Sequence, residues 1–234
     1  MFELLRKNRQ KKRATQQEWP GWVQAYLAQA RPLDRRQPWA EARMVVFDTE
    51  TTGLDVEKDQ ILSIGAIAVQ GEEIVLGDSL ELIICSEATH DPEVIAIHGI
   101  TPDEVAEGVA PLEAAQRFLE FIGGDILVAH HAAFDLRMIE ELLRREGMAD
   151  FNLHNARLDT AHLSRKLEDG HRSADFINHS RYSLDQLCHR HHITMYDRHT
   201  AWGDSLITAK LLLKLMRKVR ESNPANLKSL NVQA

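Results

Sequence analysis

Residues 44–54 run Met44-Val45-Val46-Phe47-Asp48-Thr49-Glu50-Thr51-Thr52-Gly53-Leu54, four apolar residues leading straight into two carboxylates. In a strand, residues two apart point to the same side, so Asp48 and Glu50 converge on one region of space. Two like charges at the end of a buried strand are costly unless a cation sits between them. Thr51-Thr52-Gly53 then reads as a sharp exit turn, with room for something to approach the backbone. The pattern outlines a divalent-metal site.

The rest of the chain is consistent with one such site on a globular body. Its 234 residues can bury one good core. A hydrophobic content of 44% and a charged content of 27% exclude neither fold class nor solubility, being ordinary for globular domains. No apolar run reaches the roughly 18 residues of a membrane span. Two cysteines, Cys85 and Cys188, form no disulfide framework. The start of the chain has a charge cluster and no apolar segment of the secretory type, so the expected location is the cytoplasm. Residues 1–43 carry 10 Lys and Arg against 4 Asp and Glu, a balance of +6, while the remainder carries 18 against 31, or −13. A basic arm on an acidic body suggests contact with a polyanion or an acidic protein partner, the bland alternative being a solvated tail.

Hydrophobic periodicity divides the chain into three parts: a basic extension and linker over 1–43, a main domain over 44–220, and a short polar tail over 221–234. Within the extension, Trp22, Val23, Tyr26 and Leu27 predict an amphipathic helix over 19–30, followed by a linker that closes at Pro38 before Trp39. From Met44 the pattern is strand-like: 44–47, then a β-branched stretch from Ile61 to Val69, then 74–84, joined by short connections as an antiparallel meander. Asp91-Pro92 and Thr101-Pro102 open short helices by an N-cap and a first-turn proline. A longer helix over 111–122 closes at Gly123-Gly124. Ile126 to Ala129 is a buried-type strand, 132–145 a helix stopped at Gly147, 156–159 a weaker strand, and 183–191 and 201–219 the last helices. The expectation is an α/β fold: a mixed five-stranded sheet flanked by helices.

Three further residues complete the acidic set. Asp135 follows the fourth strand in Val128-Ala129-His130-His131-Ala132-Ala133-Phe134-Asp135, in the first turn of the next helix. His199 and Asp204 stand at the entrance of the last helix, and on one continuous helix they would lie about 140° apart. They converge only if His199 precedes the helix on a loop, with Thr200 as N-cap. Four carboxylates and a histidine suit two-metal phosphodiester hydrolysis: Mg²⁺ and Mn²⁺ take oxygen ligands, and histidine can accept a proton near neutrality. The run Cys188, His189, His191 and His192 has poor spacing for zinc.

With these motifs in order, the chain resembles the DEDDh 3′–5′ exonucleases, a ribonuclease H-like family that includes the proofreading epsilon subunit of bacterial DNA polymerase III. The resemblance covers residues 44–218 and includes Ile97-His98-Gly99-Ile100-Thr101 and Tyr182-Ser183-Leu184-Asp185. It implies two divalent cations, Mg²⁺ or Mn²⁺, held by Asp48, Glu50, Asp135 and Asp204, with His199 as general base. It also implies a terminal-nucleotide pocket of Thr51, Gly53, Leu54, His98 and Phe134. Taken alone, Phe134 and Leu54 also fit plain core, and His98 a helix end. Two departures stand out: His131 replaces the usual Asn, and Trp202-Gly203 replace an aliphatic and an acidic residue. The implied activity is release of nucleoside 5′-monophosphates from single-stranded or mispaired 3′ ends of DNA. An RNA-trimming enzyme of the same fold and a non-catalytic polymerase-binding subunit are the alternatives. The segment after Val219 is short beside the long polymerase-binding extension of the epsilon subunit, which favours a stand-alone enzyme with any protein partner engaged through the N-terminal extension.

Overall fold

In the computed structural model, residues 19–86, 92–170 and 179–234 are described. The basic cluster of residues 1–17 and the expected cap Asp91 lie outside them. Five strands form one mixed sheet: β1 (Arg43–Thr51), β2 (Ile61–Gln70), β3 (Glu73–Ile83), β4 (Ile126–Ala129) and β5 (Arg157–Asp159), in the order β3-β2-β1-β4-β5. The first three form the expected antiparallel meander, and β1 runs parallel to β4, as β4 does to β5. Around the sheet lie α1 (Gly21–Ala28), α2 (Pro92–His98), α3 (Pro102–Ala106), α4 (Pro111–Ile122), α5 (Ala133–Arg145), α6 (Thr160–Asp169), α7 (Leu184–His191) and α8 (Ala201–Arg220). The chain thus has the ribonuclease H-like arrangement of a mixed sheet between helices. No described helix is long and apolar enough to cross a membrane.

The central strand β1 is buried on both sides, and its alternation sorts the molecule into two cores. Val45 and Phe47 face one core, shared with α1, α4 and α5; Met44 and Val46 face the other, shared with α6, α7 and α8. By the same period of two, Asp48 and Glu50 continue the face of Met44 and Val46, toward α8, while Thr49 continues the opposite face, toward α5. This parity decides how the acidic residues meet.

Gly65 sets the approach of α8. It pairs with Asp48 across β1 and β2, and a Cβ there would lie 2.2 Å from both the carbonyl carbon of Ala201 and the nitrogen of Trp202. Only a bare backbone lets the first turn of the helix rest on the sheet beside Asp48. Ser205 Oγ, 2.9 Å from the Gly65 carbonyl oxygen, donates into the same contact. Gly65→Ala is expected to destabilise the protein by about 3 kcal/mol, since backbone on both sides must move. It should also lower activity by displacing Asp204. Urea unfolding and rate measurements check this, and an unchanged midpoint would refute the contact.

The helix expected in the extension is present as α1 and packs on the body: Trp19 and Tyr26 lie 6.0 and 5.9 Å from Phe151 by ring centroids, and the Tyr26 hydroxyl donates to Asn155 Oδ1 at 2.6 Å while accepting from the His154 amide. Two other stretches depart from the expectation. The polar tail is partly core, because Leu227, Leu230 and Val232 are buried. It also pairs Gln233 with Arg157, covering the free edge of β5. Helix α6 is unanticipated; Asp159 caps it by accepting from the amides of Ala161 and His162.

Candidate metal and active site

β1 continues through Thr51, so both of its acids are strand residues rather than the residues after it. Asp48, Glu50 and Asp204 each offer a carboxylate oxygen within 4.8 Å of the other two, the one such grouping among the described residues. Two come from the α8 face of β1 and the third from the first turn of α8 laid on Gly65. Asp204 is 6% exposed, and its Oδ1 is buried with no hydrogen-bond partner in the described structure. Such an orphaned acceptor among oxygen-only donors fits a hard divalent cation.

Asp135 stands outside that grouping, toward the other face of the strand, from where its charge still acts on Asp48. It is buried in the first turn of α5, and its Oδ1 accepts from the Thr49 hydroxyl at 2.7 Å and the Thr49 amide at 3.2 Å. Thr49 thereby fixes the carboxylate from the strand position between the two acids. The α5 entrance is held in turn by Asp159, whose Oδ2 accepts from the Ala132 amide at 3.1 Å. His131, in the same turn, has φ of 61°. His shares with Asn an enrichment in this left-handed region, so the backbone here accommodates the departure from the expected Asn. His130 beside it has Nδ1 2.9 Å from the Thr160 hydroxyl and Nε2 2.9 Å from the Tyr182 carbonyl, and burial pushes it down to about 4, so the neutral ring ties β4 to the helices beyond.

His199 sits where the spacing argument requires, on the loop before α8, exposed and with φ of 65°. Thr200 is the N-cap, its hydroxyl accepting from the Gly203 amide at 3.0 Å. Gly203 is dictated by packing, since a Cβ would lie 2.0 Å from the Asp197 carbonyl oxygen. Trp202 is partly buried against the second core. The altered pair therefore leaves the helix start intact.

The cluster's electrostatics carry a strong bias against charge. Burial, then the charges of Asp135, Asp204 and Glu50, holds Asp48 well above the usual carboxylate range. Burial, followed by the charge of Asp204, pushes Glu50 up to about 8. Burial raises Asp135 to about 7 against the opposing Thr49 hydrogen bonds, and burial raises Asp204 despite Arg198 and His199. In the unfolded chain these groups titrate near 4. Protonated carboxyls are therefore favoured in the metal-free fold, so stability is fully present below about pH 4 and falls as pH rises toward 8. In chelator, the melting temperature should drop between about pH 5 and pH 8, and Mn²⁺ should restore more at the higher pH. A melting temperature that rises with pH in chelator would contradict this.

The nucleotide-pocket candidates are less tightly knit. Thr51 Oγ1 donates to the Gly53 carbonyl at 2.7 Å, and a Cβ on Gly53 would meet Asp59 at 2.5 Å. Asp59 closes this loop by accepting from the Thr52 hydroxyl and the Asp55 amide. Leu54, at its tip, is 84% exposed, which excludes the plain-core reading. Phe134 is partly buried against the first core. His98 is buried at the end of α2, its Nδ1 accepting from the Ile100 amide at 3.0 Å. No described contact joins these last three to the carboxylates. Sequence reasoning passed over Thr49, Gly65 and Arg198, and singled out the stretch ending at Asp185 without giving that residue a role; a glycine within an apolar strand is the signal that could have found Gly65. Cys188 is buried core.

Residues 45–212 match the family model described as Exonuclease (RNase T). Relatives include a DNA polymerase III subunit epsilon-like protein of Rhodobacter capsulatus, 37% identical over 185 residues, which are 76% of this chain and 24% of that protein. They also include the PolC-type DNA polymerase III of Bacillus subtilis, 33% identical over 181 residues, 77% of this chain and 12% of that protein. The chain thus spans about a quarter or less of these curated relatives. Among solved structures, exonuclease X in complex with 5′-overhanging duplex DNA aligns with a TM-score of 0.59 and 23% identity, over 80% of this chain and 99% of that one. Exonuclease I of E. coli in complex with a dT13 oligonucleotide aligns with a TM-score of 0.63 and 18% identity, over 77% and 42%. At these identities the structural likeness speaks for the fold.

Proposed function

The chain belongs to the RNase T exonuclease family of phosphodiester hydrolases, and from that premise we propose that it removes nucleotides singly from the 3′ ends of DNA, single-stranded or mispaired, releasing nucleoside 5′-monophosphates. The observation that carries this reading is the convergence of Asp48, Glu50 and Asp204 beside a loop that presents His199. Asp48, Glu50, Asp204 and Asp135 would hold two divalent cations, Mg²⁺ or Mn²⁺. When bound, such ions stabilise the attacking and leaving oxygens of an in-line displacement. His199 takes a proton from the attacking water; the water oxygen bonds to phosphorus, the bond to the 3′ oxygen breaks, and that oxygen takes a proton from solvent to become the new 3′ hydroxyl. Exposed Leu54, on the loop braced by Asp59, is suited to lie against the terminal base, with Thr51, Gly53, His98 and Phe134 completing the pocket. DNA is favoured over RNA because the exonuclease X and exonuclease I structures hold DNA.

The test uses 5′-labelled single-stranded DNA, duplex DNA with a mispaired 3′ end, and RNA of the same sequence, each with Mn²⁺ and with chelator. The expected result is a ladder shortening from the 3′ end, monophosphate products, and faster cleavage of DNA than RNA. Faster cleavage of RNA would establish the RNA-trimming alternative. Binding without turnover would establish a non-catalytic subunit, and the N-terminal extension would then be the place to seek its protein partner.

A further inference from the structure

Arg198 immediately precedes His199, and nothing in the activity proposed above uses it. Its side chain is a quarter exposed and bridges three functional elements. Nε donates to Asp185 Oδ1, in the first turn of α7, at 2.7 Å. Nη1 donates to Asp204 Oδ2, in the first turn of α8, and lies 3.4 Å from His199 Nδ1. The guanidinium is the only cation hydrogen-bonded to the Asp48, Glu50 and Asp204 cluster among the described residues. A fork-shaped donor can serve two carboxylates at once, which a lysine cannot reproduce.

The geometry points to a positioning role: Arg198 is a tethered counter-ion that holds Asp204 when no metal is bound, yields that carboxylate to an incoming divalent cation, and stays anchored to Asp185, fixing the loop that carries His199. This rests on the proposed metal-dependent activity. The two anchors differ in the needed way. Asp204 belongs to the cluster, and its second oxygen, Oδ1, already lacks a partner. Asp185 lies outside the cluster with its side chain about half exposed, so it remains available after Asp204 is given up. Arg198 and the cation compete for Asp204, and by linkage whatever strengthens one weakens the other.

The test compares Mn²⁺ binding by calorimetry for the wild type, R198Q, R198K and D185N. Competition predicts opposite signs. R198Q should bind Mn²⁺ at least about fivefold more tightly, because nothing has to be displaced. D185N should bind it more weakly, because Arg198 then has only Asp204 to hold. In turnover, R198Q and D185N should both lower kcat with KM little changed, since a wandering His199 loop affects the reacting geometry more than ground-state binding. R198K should restore wild-type metal affinity more fully than kcat. Equal or weaker Mn²⁺ binding by R198Q, or tighter binding by D185N, would overturn the proposal; should R198Q fail to fold, the sign for D185N decides alone. A wild type that binds no Mn²⁺ would instead bring down the metal-dependent reading itself.

Discussion

Asp48→Ala is expected to lower hydrolysis by at least about 10³-fold, while leaving a metal-free protein that melts no lower than the wild type. The two halves have one cause. Asp48 is crowded by Asp135, Asp204 and Glu50, and burial already holds its carboxyl well above the ordinary range. Removing it relieves repulsion and desolvation in the metal-free fold and takes away an oxygen donor at the same time. The measurements are single-turnover rates with Mn²⁺ and melting curves in chelator near pH 8. A wild-type rate would end the ligand assignment. A large fall in melting temperature would show that the cluster is held together by something other than a missing cation. Asp48→Asn should share both outcomes with less change in shape.

The sheet, its order of elements and the pairing of Asp48 with Glu50 were legible because they depend on local rules, and Asp135 and Asp204 were named from the order of the motifs. A period of two placed Asp48 and Glu50 on one side of β1, and the structure has them there with Asp204. A proline or glycine marked helix boundaries at Pro102, Pro111 and Gly123. What escaped depends on pairs distant in sequence. The hold of Thr49 on Asp135 is one such pair, since no spacing rule links the two across 86 residues. Arg198 drew no notice because its partners, Asp185 and Asp204, meet only when α7 and α8 pack. The burial of Leu227, Leu230 and Val232 was hidden in a polar composition, since three residues of an irregular segment have no periodicity to show. Helix α6 was missed for a related reason: its cap, Asp159, also ends β5 and also braces α5, and a residue with three duties announces none of them.

Replacing His199 should cost on the order of 10²–10⁴ in rate and leave Mn²⁺ binding in place, the usual contribution of a positioned general base that is not a ligand. The backbone complicates the choice of substitution. His199 has φ of 65°, and an alanine forced into that region costs about 1–2 kcal/mol, enough to move the loop and imitate a chemical effect. Asparagine tolerates the left-handed conformation and removes the imidazole. H199N is therefore the cleaner variant, and H199A its check. The side chain is exposed, so neither change opens a cavity, and the Thr200 cap and the Gly203 contact that start α8 remain. If His199 is the base, both variants lose rate alike and keep their affinity for Mn²⁺ and for a 3′-terminal dinucleotide. A loss confined to H199A would assign the effect to loop geometry. Wild-type turnover by H199N would mean that another group takes the proton, and the catalytic role proposed for this loop would fall.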